Sequence, residues 1–448
     1  MNVVVIIIIA YFTLMAIIGI YSWMNVHNAG DYFVSGKKGS WWQISGSLFA
    51  TIMGGSAIMG SIELSQKAGW AAVWFLGSAA AGLFVLVFIS RKVSRLGHYT
   101  LPEMVKLFYG TKAERTATLM IPIAWLGIVA VQIIAGAKVL ASLGLMNYSQ
   151  GALLCGSVFI FYTLIGGQKS ILKTDFIQAL IILGGLITLF ILKIRNTDFS
   201  DLPPLTADSL FNENFTGTDL FFLLATYSVT FVVGPDIYSR IFCAKDERTA
   251  QRSVLLVAIL IIPVSLLLTF LGVAAGQGGE MPSGENLILP GTAFLPPWAL
   301  GLLAAALLSA VMSSADTTLL TSSMILSELV TGNLDRKDAF PITRIFIVIL
   351  GCISMLISLK VTSILNALLI SLSFFSGAFI LPVLAGIAGW KTNPKMAYAA
   401  MITGGFTALT GKIIDVHYQG NLGNLIILLA FVLNGLILFF PLRKKSSG

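Results

Sequence analysis

The stretch Leu308–Ser323, LSAVMSSADTTLLTSS, is small and rich in hydroxyl groups, yet it lies inside a long apolar run from about Trp298 to Val330. An apolar run of this length is typical of a helix that crosses a membrane. At helical spacing, small and oxygen-bearing side chains share one stripe of this helix, which is a poor surface for contact with lipid. The stripe consists of Ala310, Ser313, Ser314, Thr317 and Thr321.

Asp316 lies about one turn from Ser313 on the same predicted helix. A carboxylate at this depth costs roughly 2.5 to 3.5 kcal/mol on insertion scales, so we expect it to face a polar cavity or a partner. Hard oxygen ligands of this kind suit a small alkali cation. The alternative is that the hydroxyls bond back to carbonyls of their own helix, while the small residues let helices pack closely.

The composition of the whole chain is that of a multi-pass membrane protein. Of its 448 residues, 56% are hydrophobic and 11% are charged, and the mean hydropathy is +0.90; soluble domains do not reach these values. Apolar runs of about 20 residues predict thirteen spans. The first run, Val3–Trp23, lacks a basic segment before it and a cleavage site after it, so we interpret it as a retained helix.

The basic residues orient these spans in the cell membrane. With the N-terminus outside and the C-terminus cytoplasmic, 22 of the 28 Lys and Arg residues fall on the cytoplasmic side and five outside, as the positive-inside rule requires. Arg240 is counted as cytoplasmic here, together with the loop Lys245–Arg252 and the C-terminal Arg443, Lys444 and Lys445. The net charge of +8 therefore follows from topology, and no nucleic-acid partner is expected.

Composition and motifs also exclude several classes of function. The three Cys residues are far apart and the three His residues form no cluster, so neither a disulfide framework nor a transition-metal site is indicated. The sequence has no nucleophile–base constellation and no phosphate-binding glycine loop in a βα context. We expect neither an enzyme nor an organic cofactor.

Two spans carry helix-breaking residues at corresponding places. The second contains Gly54, Gly55 and Ser56 near its centre, and the seventh contains Gly234-Pro235 in its inner half. Glycine tolerates unusual dihedrals and proline cannot continue a helix, although a glycine-rich packing face also explains the first group. Each break begins a set of five spans, and because five is odd the two sets run in opposite directions. Interrupted helices in an inverted pair indicate a transporter site.

Four further positions are candidates for a polar or aromatic cavity. Gln132 lies deep in an apolar setting and needs a partner. Tyr227 and Phe231 are four apart, so they share one face and either line a pocket or pack in the bundle. Asp175 opens the sixth span, where the helix dipole alone favours a carboxylate.

Five stretches, in this order, resemble the solute:sodium symporter family, which includes the bacterial proline permease and the sodium-glucose cotransporters. They are ATIMGGSAIMG from Ala50, IIAGAKVLASLGLMNYSQGALLCG from Ile133, IFYTLIGGQKSILKTDFIQA from Ile160, GPDIYSRIFCAKDERTA from Gly234 and AVMSSADTT from Ala310. The similarity runs from about Trp41 to Gly389.

The resemblance implies an all-α membrane protein of about thirteen helices with a LeuT-type fold. Ten core helices would form a five-plus-five inverted repeat, with one helix before it and two after it. In a single transporter domain, residues 1–448, this places an extra helix at 2–24, the first repeat at 41–195, the second at 218–389 and two C-terminal helices at 396–441. We expect the chain to function as a monomer in the lipid bilayer.

The resemblance also implies positions for the sites. The main sodium site would use backbone oxygens of Ala50, Met53 and Ala310 with the hydroxyls of Ser313 and Ser314. Asp175 matches a carboxylate linked to a second sodium site in some relatives, and Asp316 stands where many relatives have Ser. We therefore predict a second cation site that consists of Asp175, Ser313, Asp316 and Thr317, with a shared proton as its other state; a salt bridge from Asp316 to a cytoplasmic Lys or Arg is the alternative.

The predicted function is sodium-coupled import of a small organic solute by alternating access, with Na+ as the coupling ion. The predicted solute-binding residues are Ser56, Gln132, Tyr227, Phe231 and Phe374, and their few charges favour a neutral or zwitterionic solute such as an amino acid or sugar. Proton coupling through Asp175 and Asp316 is an alternative. A transporter-like sensor is another alternative, which the lack of a signalling domain after Leu442 disfavours.

Overall fold

The computed structural model describes residues 3–24, 26, 28–96, 99–197, 199–276, 295–361, 363–418 and 422–440. The described chain is almost entirely helical, as predicted. Its α-helices are α1 Val3–Trp23, α2 Ala29–Val34, α3 Trp41–Ile52, α4 Gly55–Ala68, α5 Val73–Leu96, α6 Leu101–Tyr109, α7 Thr111–Ser142, α8 Tyr148–Arg195, α9 Gly217–Leu223, α10 Val229–Val233, α11 Pro235–Cys243, α12 Glu247–Gly276, α13 Pro297–Thr331, α14 Ala339–Ser358, α15 Ile364–Ala388, α16 Ala397–His417 and α17 Leu422–Leu438.

The second predicted span is broken at its glycines, as the sequence suggests. Helix α3 ends at Ile52, and α4 begins at Gly55 after Gly54 adopts an extended conformation with φ −62° and ψ 167°. A Cβ atom at Gly54 would collide with the Ser314 hydroxyl, and one at Gly55 would collide with Val311. Glycine is therefore required here because α13 approaches the break too closely for any side chain.

The seventh predicted span is broken as well. A π-helical turn, Leu224–Ser228, joins α9 to α10, which ends at Val233. Gly234 is extended, with φ −64° and ψ 132°, and Pro235 opens α11. Proline has no amide hydrogen to give, and its fixed φ suits the first turn of a helix, so Pro235 starts a new helix instead of continuing the old one.

Within the described residues, nine helical segments are long and apolar enough to cross a membrane. One of these, α8, has 48 residues and contains a non-helical Gly167 with φ 59° and ψ 179°. A straight helix of this length would measure about 72 Å, more than twice the roughly 30 Å apolar core of a bilayer. Two crossings, one before and one after Gly167, explain this length. The total of thirteen spans stays a prediction.

Helix α13 occupies the centre of the bundle, where it packs against α1, α3, α7, α8 and α14. Nearly all of its side chains between Gly301 and Glu328 are buried. The small residues of Leu308–Ser323 are therefore surrounded by other helices. Helix α1 covers α8 and α13, whereas α16 and α17 pair with each other beside α15.

One basic residue of the predicted cytoplasmic set lies inside the bundle. Arg240, which the sequence count assigns to the cytoplasmic side, is fully buried in α11. It lies only six residues after Gly234, and its guanidinium pairs with the buried Asp175, which holds it inside the bundle. Without Arg240 the sequence predicts 21 cytoplasmic and five outside Lys and Arg residues, so the predicted orientation is unchanged. Arg443, Lys444 and Lys445 lie outside the described residues.

Candidate functional site

The hydroxyls of Ser313 and Ser314 reach from α13 to the end of α3. Ser313 Oγ lies 2.8 Å from the carbonyl oxygen of Ala50 and 3.1 Å from that of Ala310. Ser314 Oγ donates a hydrogen bond of 2.7 Å to the carbonyl oxygen of Thr51. The side chains thus bridge α13 and the break, and they do not simply bond back to their own helix.

These contacts leave the break rich in acceptors. Each serine has one hydroxyl proton, so Ser313 donates to only one of its two carbonyl neighbours at a time. The next residue of the predicted sodium site, Met53, ends α3, and its amide bonds back to Phe49. An excess of inward-facing carbonyl and hydroxyl oxygens over donors is the composition that a small hard cation requires. Of the five predicted ligands, Ala50, Ala310 and Ser313 are in direct contact.

The predicted second cation site contains a residue that the prediction did not include. Asp175 Oδ2 accepts a hydrogen bond of 2.5 Å from Ser47 and forms an ion pair of 2.9 Å with Arg240 Nη2. The same guanidinium nitrogen contacts the Thr317 hydroxyl, which donates to the carbonyl oxygen of Ser313 at 2.7 Å. Arg240 thus joins Asp175 on α8 to Thr317 on α13.

Asp316 is held separately. Its Oδ1 accepts a hydrogen bond of 3.2 Å from Thr163 on α8, and the carboxylate is buried. Within the described part of the chain it forms no ion pair, so the predicted alternative of a salt bridge from Asp316 to a cytoplasmic basic residue is not observed. The ion pair is instead made by Asp175.

Sequence reasoning missed Arg240 and Asp236, which lie one turn apart on α11. Arg240 was grouped with the basic loop that follows it, although Ile237, Ile241 and the break before them already indicated a buried position. Asp236 is partly buried, and its Oδ1 is buried with no hydrogen-bond partner among the described residues. A charged residue directly after a predicted break was the available signal.

Two of the predicted solute-binding residues, Ser56 of α4 and Gln132 of α7, meet at the break between α3 and α4. Gln132 Oε1 accepts a hydrogen bond of 3.1 Å from the Gly55 amide, and its Nε2 donates to Ser56 Oγ at 3.2 Å. Gln132 therefore has the partners that its burial requires, and it ties α7 to the first turn of α4.

The predicted aromatic pair packs with a third ring. The ring centroids of Tyr227 and Phe231 are 5.0 Å apart in a T-shaped arrangement, and Phe75 stacks on Tyr227 at 4.5 Å. The Phe75 ring also lies against Gly60 of α4, one turn beyond Ser56. Phe75 thus links the aromatic pair to α4, whereas the contacts of Ser56 and Gln132 are with each other and with Gly55. Phe374 is different, because its ring contacts Phe406 on α16 at 5.4 Å.

A cavity of about 210 Å³ lies next to these aromatic rings. Its inner wall includes Phe75 and Thr226, the neighbour of Tyr227. The rest of the lining is mixed: apolar side chains such as Leu64 and Phe222 alternate with polar and charged ones, which include Asp219 and the ion pair of Lys412 with Asp415 at 2.5 Å. The loop before α9, which we predict to lie outside the cell, contributes Asn214. The cavity thus gives the aromatic group a partly polar opening toward that loop.

Comparison with known proteins identifies a family. The model of the sodium:solute symporter family matches residues 32–404. The sodium/pantothenate symporter of Escherichia coli is 24% identical, with 92% of this chain and 91% of the relative covered. The sodium/proline symporter of Haemophilus influenzae is also 24% identical, with 89% and 86% covered. Among solved structures, a substrate-bound, outward-open Na+-coupled sialic acid symporter matches with a TM-score of 0.80 and 18% identity, over 97% of this chain and 98% of that one.

Proposed function

This chain belongs to the sodium:solute symporter family, and from that membership we propose how its residues bind sodium and solute. It is a multi-pass membrane protein with a LeuT-type fold, and its activity is sodium-coupled solute symport, not an enzymatic reaction. Sodium is the coupling ion. Which residues bind it, which solute is carried and how the chain is oriented belong to the proposal.

The main sodium site consists of the carbonyl oxygens of Ala50, Met53 and Ala310 and the hydroxyls of Ser313 and Ser314. The observation that carries this assignment is the 2.8 Å contact of Ser313 Oγ with the Ala50 carbonyl oxygen. This contact joins α13 to the broken end of α3 at a place with more acceptors than donors. A sodium ion there would replace hydroxyl donation to these carbonyls and hold both helices.

Solute binds on the other side of the same break, at Ser56, Gln132, Tyr227 and Phe231. Coupling follows because Gly55 and Ser56 begin α4 while Ala50 lies at the end of α3, so sodium and solute share one broken helix. Phe374 remains part of the proposed site, although its observed ring contact is with α16. Inward movement of one sodium ion through 100 mV provides about 2.3 kcal/mol, to which the concentration gradient adds.

The solute is a small organic molecule, neutral or zwitterionic, such as an amino acid or sugar. The pantothenate and proline symporters among the relatives carry solutes of this size. The aromatic group of Phe75, Tyr227 and Phe231 offers apolar surface, and the hydroxyl and amide of Ser56 and Gln132 offer hydrogen bonds. We assign the repeats to residues 41–195 and 218–389, flanked by helices at 2–24 and 396–441, in a monomer with the N-terminus outside.

A second cation site at Asp175, Ser313, Asp316 and Thr317 is part of the proposal. The buried, unpaired carboxylate of Asp316 supports it, and the same observation keeps proton coupling as the alternative. Either cation would lower the cost of carboxylates that lie close together in a low-dielectric interior.

The test is uptake into proteoliposomes. A solute library is first screened for sodium-dependent thermal stabilisation of the purified protein. The best solute is then offered to proteoliposomes that carry an inward sodium gradient, an inward proton gradient without sodium, or a potassium gradient of the same size. We expect accumulation with sodium only. Accumulation driven by protons without sodium would replace sodium coupling by proton coupling.

A further inference from the structure

Arg240 lies inside the space assigned above to a second cation. Its side chain is fully buried, and Nη2 contacts both Asp175, at 2.9 Å, and the hydroxyl of Thr317. Its Nε donates to Ser47 at 3.0 Å, which itself bonds to Asp175. The guanidinium thus makes the contacts with Asp175 and Thr317 that a bound sodium ion would need.

The same arginine has a second carboxylate within reach. Asp236 precedes Arg240 by four residues on α11, a spacing that places side chains about 5–6 Å apart at Cβ and favours an ion pair. No such pair forms in this structure, because the nitrogens of Arg240 donate to Asp175, Thr317, Ser47 and Ser239. Asp236 Oδ1 is left buried without a hydrogen-bond partner among the described residues.

The charges around Arg240 are unbalanced. Asp175 forms an ion pair with Arg240. Asp316 is the residue before Thr317 on α13, and Asp236 lies one helical turn before Arg240 on α11. One guanidinium therefore lies near three carboxylates and pairs with one of them, Asp175. Buried charges need pairing, so one more cation would balance these carboxylates, and Arg240 has two of them, Asp175 and Asp236, as alternative partners.

We propose that Arg240 is a tethered cation that competes with sodium for the second cation site and passes from Asp175 to Asp236 when sodium binds. Sodium takes the oxygens of Asp175, Asp316 and Thr317, and the released guanidinium pairs with Asp236. The four-residue spacing on α11 places Asp236 next to Arg240, so a change of side-chain rotamer at Arg240 is the movement that the exchange requires. The inference rests on the proposed function, since it presumes a second sodium ion.

This exchange would couple the second cation site to the solute site. Asp236 lies two residues after Gly234, where α10 and α11 separate. Pairing of Arg240 with Asp236 neutralises a carboxylate at the start of α11 and changes the charge beside the break. Occupation of the second cation site would thereby change the charge at the start of α11, which the break at Gly234 joins to the segment that contains Tyr227 and Phe231.

The decisive variant is Asp236→Asn in the full-length protein, assayed in proteoliposomes. It removes the alternative partner but leaves the Arg240–Asp175 pair intact, so sodium must displace the arginine without compensation. We expect the sodium concentration for half-maximal uptake to rise by roughly tenfold and its Hill coefficient to fall toward one. Solute affinity at saturating sodium should stay within about twofold. Asp246→Asn, an exposed carboxylate at the start of α12, is the matched control and should behave as wild type.

Arg240→Gln provides the opposite change. It removes the competitor, so sodium should bind the second site at lower concentration, as measured by sodium titration of thermal stability without solute. If this variant does not fold, Asp236→Asn still decides the question.

Three results would overturn the exchange. The first is wild-type sodium dependence of Asp236→Asn. The second is an altered preference between cationic and neutral solutes with unchanged sodium dependence, which would make Asp236 a solute contact. The third is Arg240→Gln that folds and binds sodium no more tightly. Failure of the wild-type protein to use sodium at all would instead contradict the proposed function.

Discussion

Ser313 Oγ lies 2.8 Å from the carbonyl oxygen of Ala50, which precedes it by 263 positions in the chain. This contact joins the centre of α13, in the proposed second repeat, to the broken end of α3, in the first. Any relative movement of the two helices must stretch or break it. A cation bound at this point would therefore contact both helices, and its binding would favour the arrangement in which the two repeats lie close together.

The first prediction concerns the ligands of the main sodium site. Ser313→Ala and Ser314→Ala each delete one hard oxygen, so each should raise the sodium concentration for half-maximal uptake by about tenfold or more, since a hydrogen bond or ligand contact to a charge is worth about 1.5–3 kcal/mol. Solute recognition at saturating sodium should change much less. The measurement is uptake as a function of sodium at several solute concentrations.

Ser323→Ala is the matched control for these variants. Ser323 lies on the same helix and is equally buried, but its hydroxyl donates to the Leu319 carbonyl of its own helix at 2.7 Å. It should keep wild-type sodium dependence. If the Ser313 and Ser314 variants also keep it, these hydroxyls serve helix packing only.

The second prediction concerns the aromatic surface. Tyr227→Ala and Phe231→Ala should each weaken solute binding by about tenfold, because each removes a ring that contacts its neighbours at 4.5–5.0 Å and would stack on the solute. Sodium binding in the absence of solute should survive at high sodium. Binding of labelled solute to purified protein measures the first effect, and sodium-dependent thermal stabilisation measures the second.

Phe221→Ala serves as the control, since this ring is on the same interrupted span but about half exposed. Solute affinity that is unchanged in both the Tyr227 and Phe231 variants would assign these rings to the packing of the bundle.

The third prediction concerns the break in the second span. Gly54→Ala should abolish sodium-driven uptake, because its Cβ would collide with the Ser314 hydroxyl and push α13 away from the Ala50 and Thr51 carbonyls. Gly184→Ala on α8 meets no atom within 4 Å and should be neutral or slightly stabilising. Expression, monodispersity and uptake are measured for both. Normal sodium dependence of Gly54→Ala would show that the close approach is dispensable.

Local features of the fold were predictable, and pairings between distant residues were not. Gly54-Gly55 and Gly234-Pro235 break their helices for reasons contained in a few neighbouring residues, so both breaks are evident in the sequence. The partner of Asp175 is 65 positions away. No periodicity predicts which of many basic residues will fill that place. Arg240 precedes the basic loop by only a few residues, so a count of charges along the chain assigns it to the cytoplasmic side, whereas its ion pair with Asp175 lies inside the bundle.

The site shows the same division. The hydroxyl stripe of α13 predicted that Ser313 and Ser314 would face polar atoms, but the choice of Ala50 and Thr51 as partners depends on how α3 ends. Phe374 is a predicted solute contact because it precedes Pro382, a plausible hinge, in the eleventh span. Its ring contacts Phe406 instead, because α16 packs beside α15 and a sequence pattern does not specify which face of α15 that helix covers.

The fourth prediction concerns orientation. Cysteine placed at Asp208 should react with a membrane-impermeant maleimide added outside intact cells, and cysteine at Lys245 should react only after permeabilisation. Both side chains are exposed, so reactivity reports the side of the membrane. The background is a variant in which Cys352, the exposed native thiol, is replaced; Cys155 and Cys243 are buried. The reverse pattern would invert the positive-inside assignment.

The last prediction concerns the second cation site. Asp316→Asn should lower the number of sodium ions carried per solute, or flatten the sodium cooperativity of uptake from a Hill coefficient of about two toward one. The physical reason is that an amide contributes no charge to the oxygens that would hold the ion. Asp316 accepts one hydrogen bond from Thr163 and makes no ion pair in the described ranges, so the substitution leaves no charge stranded.

Asp175→Asn should have the same effect on stoichiometry and an additional effect on stability. It removes the observed ion-pair partner of the fully buried Arg240. Breaking a buried pair costs about 3–5 kcal/mol when the remaining charge finds no new partner, and the loss should be smaller if Arg240 pairs with Asp236 instead. The comparison of the two variants therefore separates cation binding from structural support. Equal loss of stability with unchanged stoichiometry and cooperativity would leave Asp175 and Asp316 a structural role only, whereas lost cooperativity in a stable Asp316→Asn protein requires that the carboxylate bind the second cation.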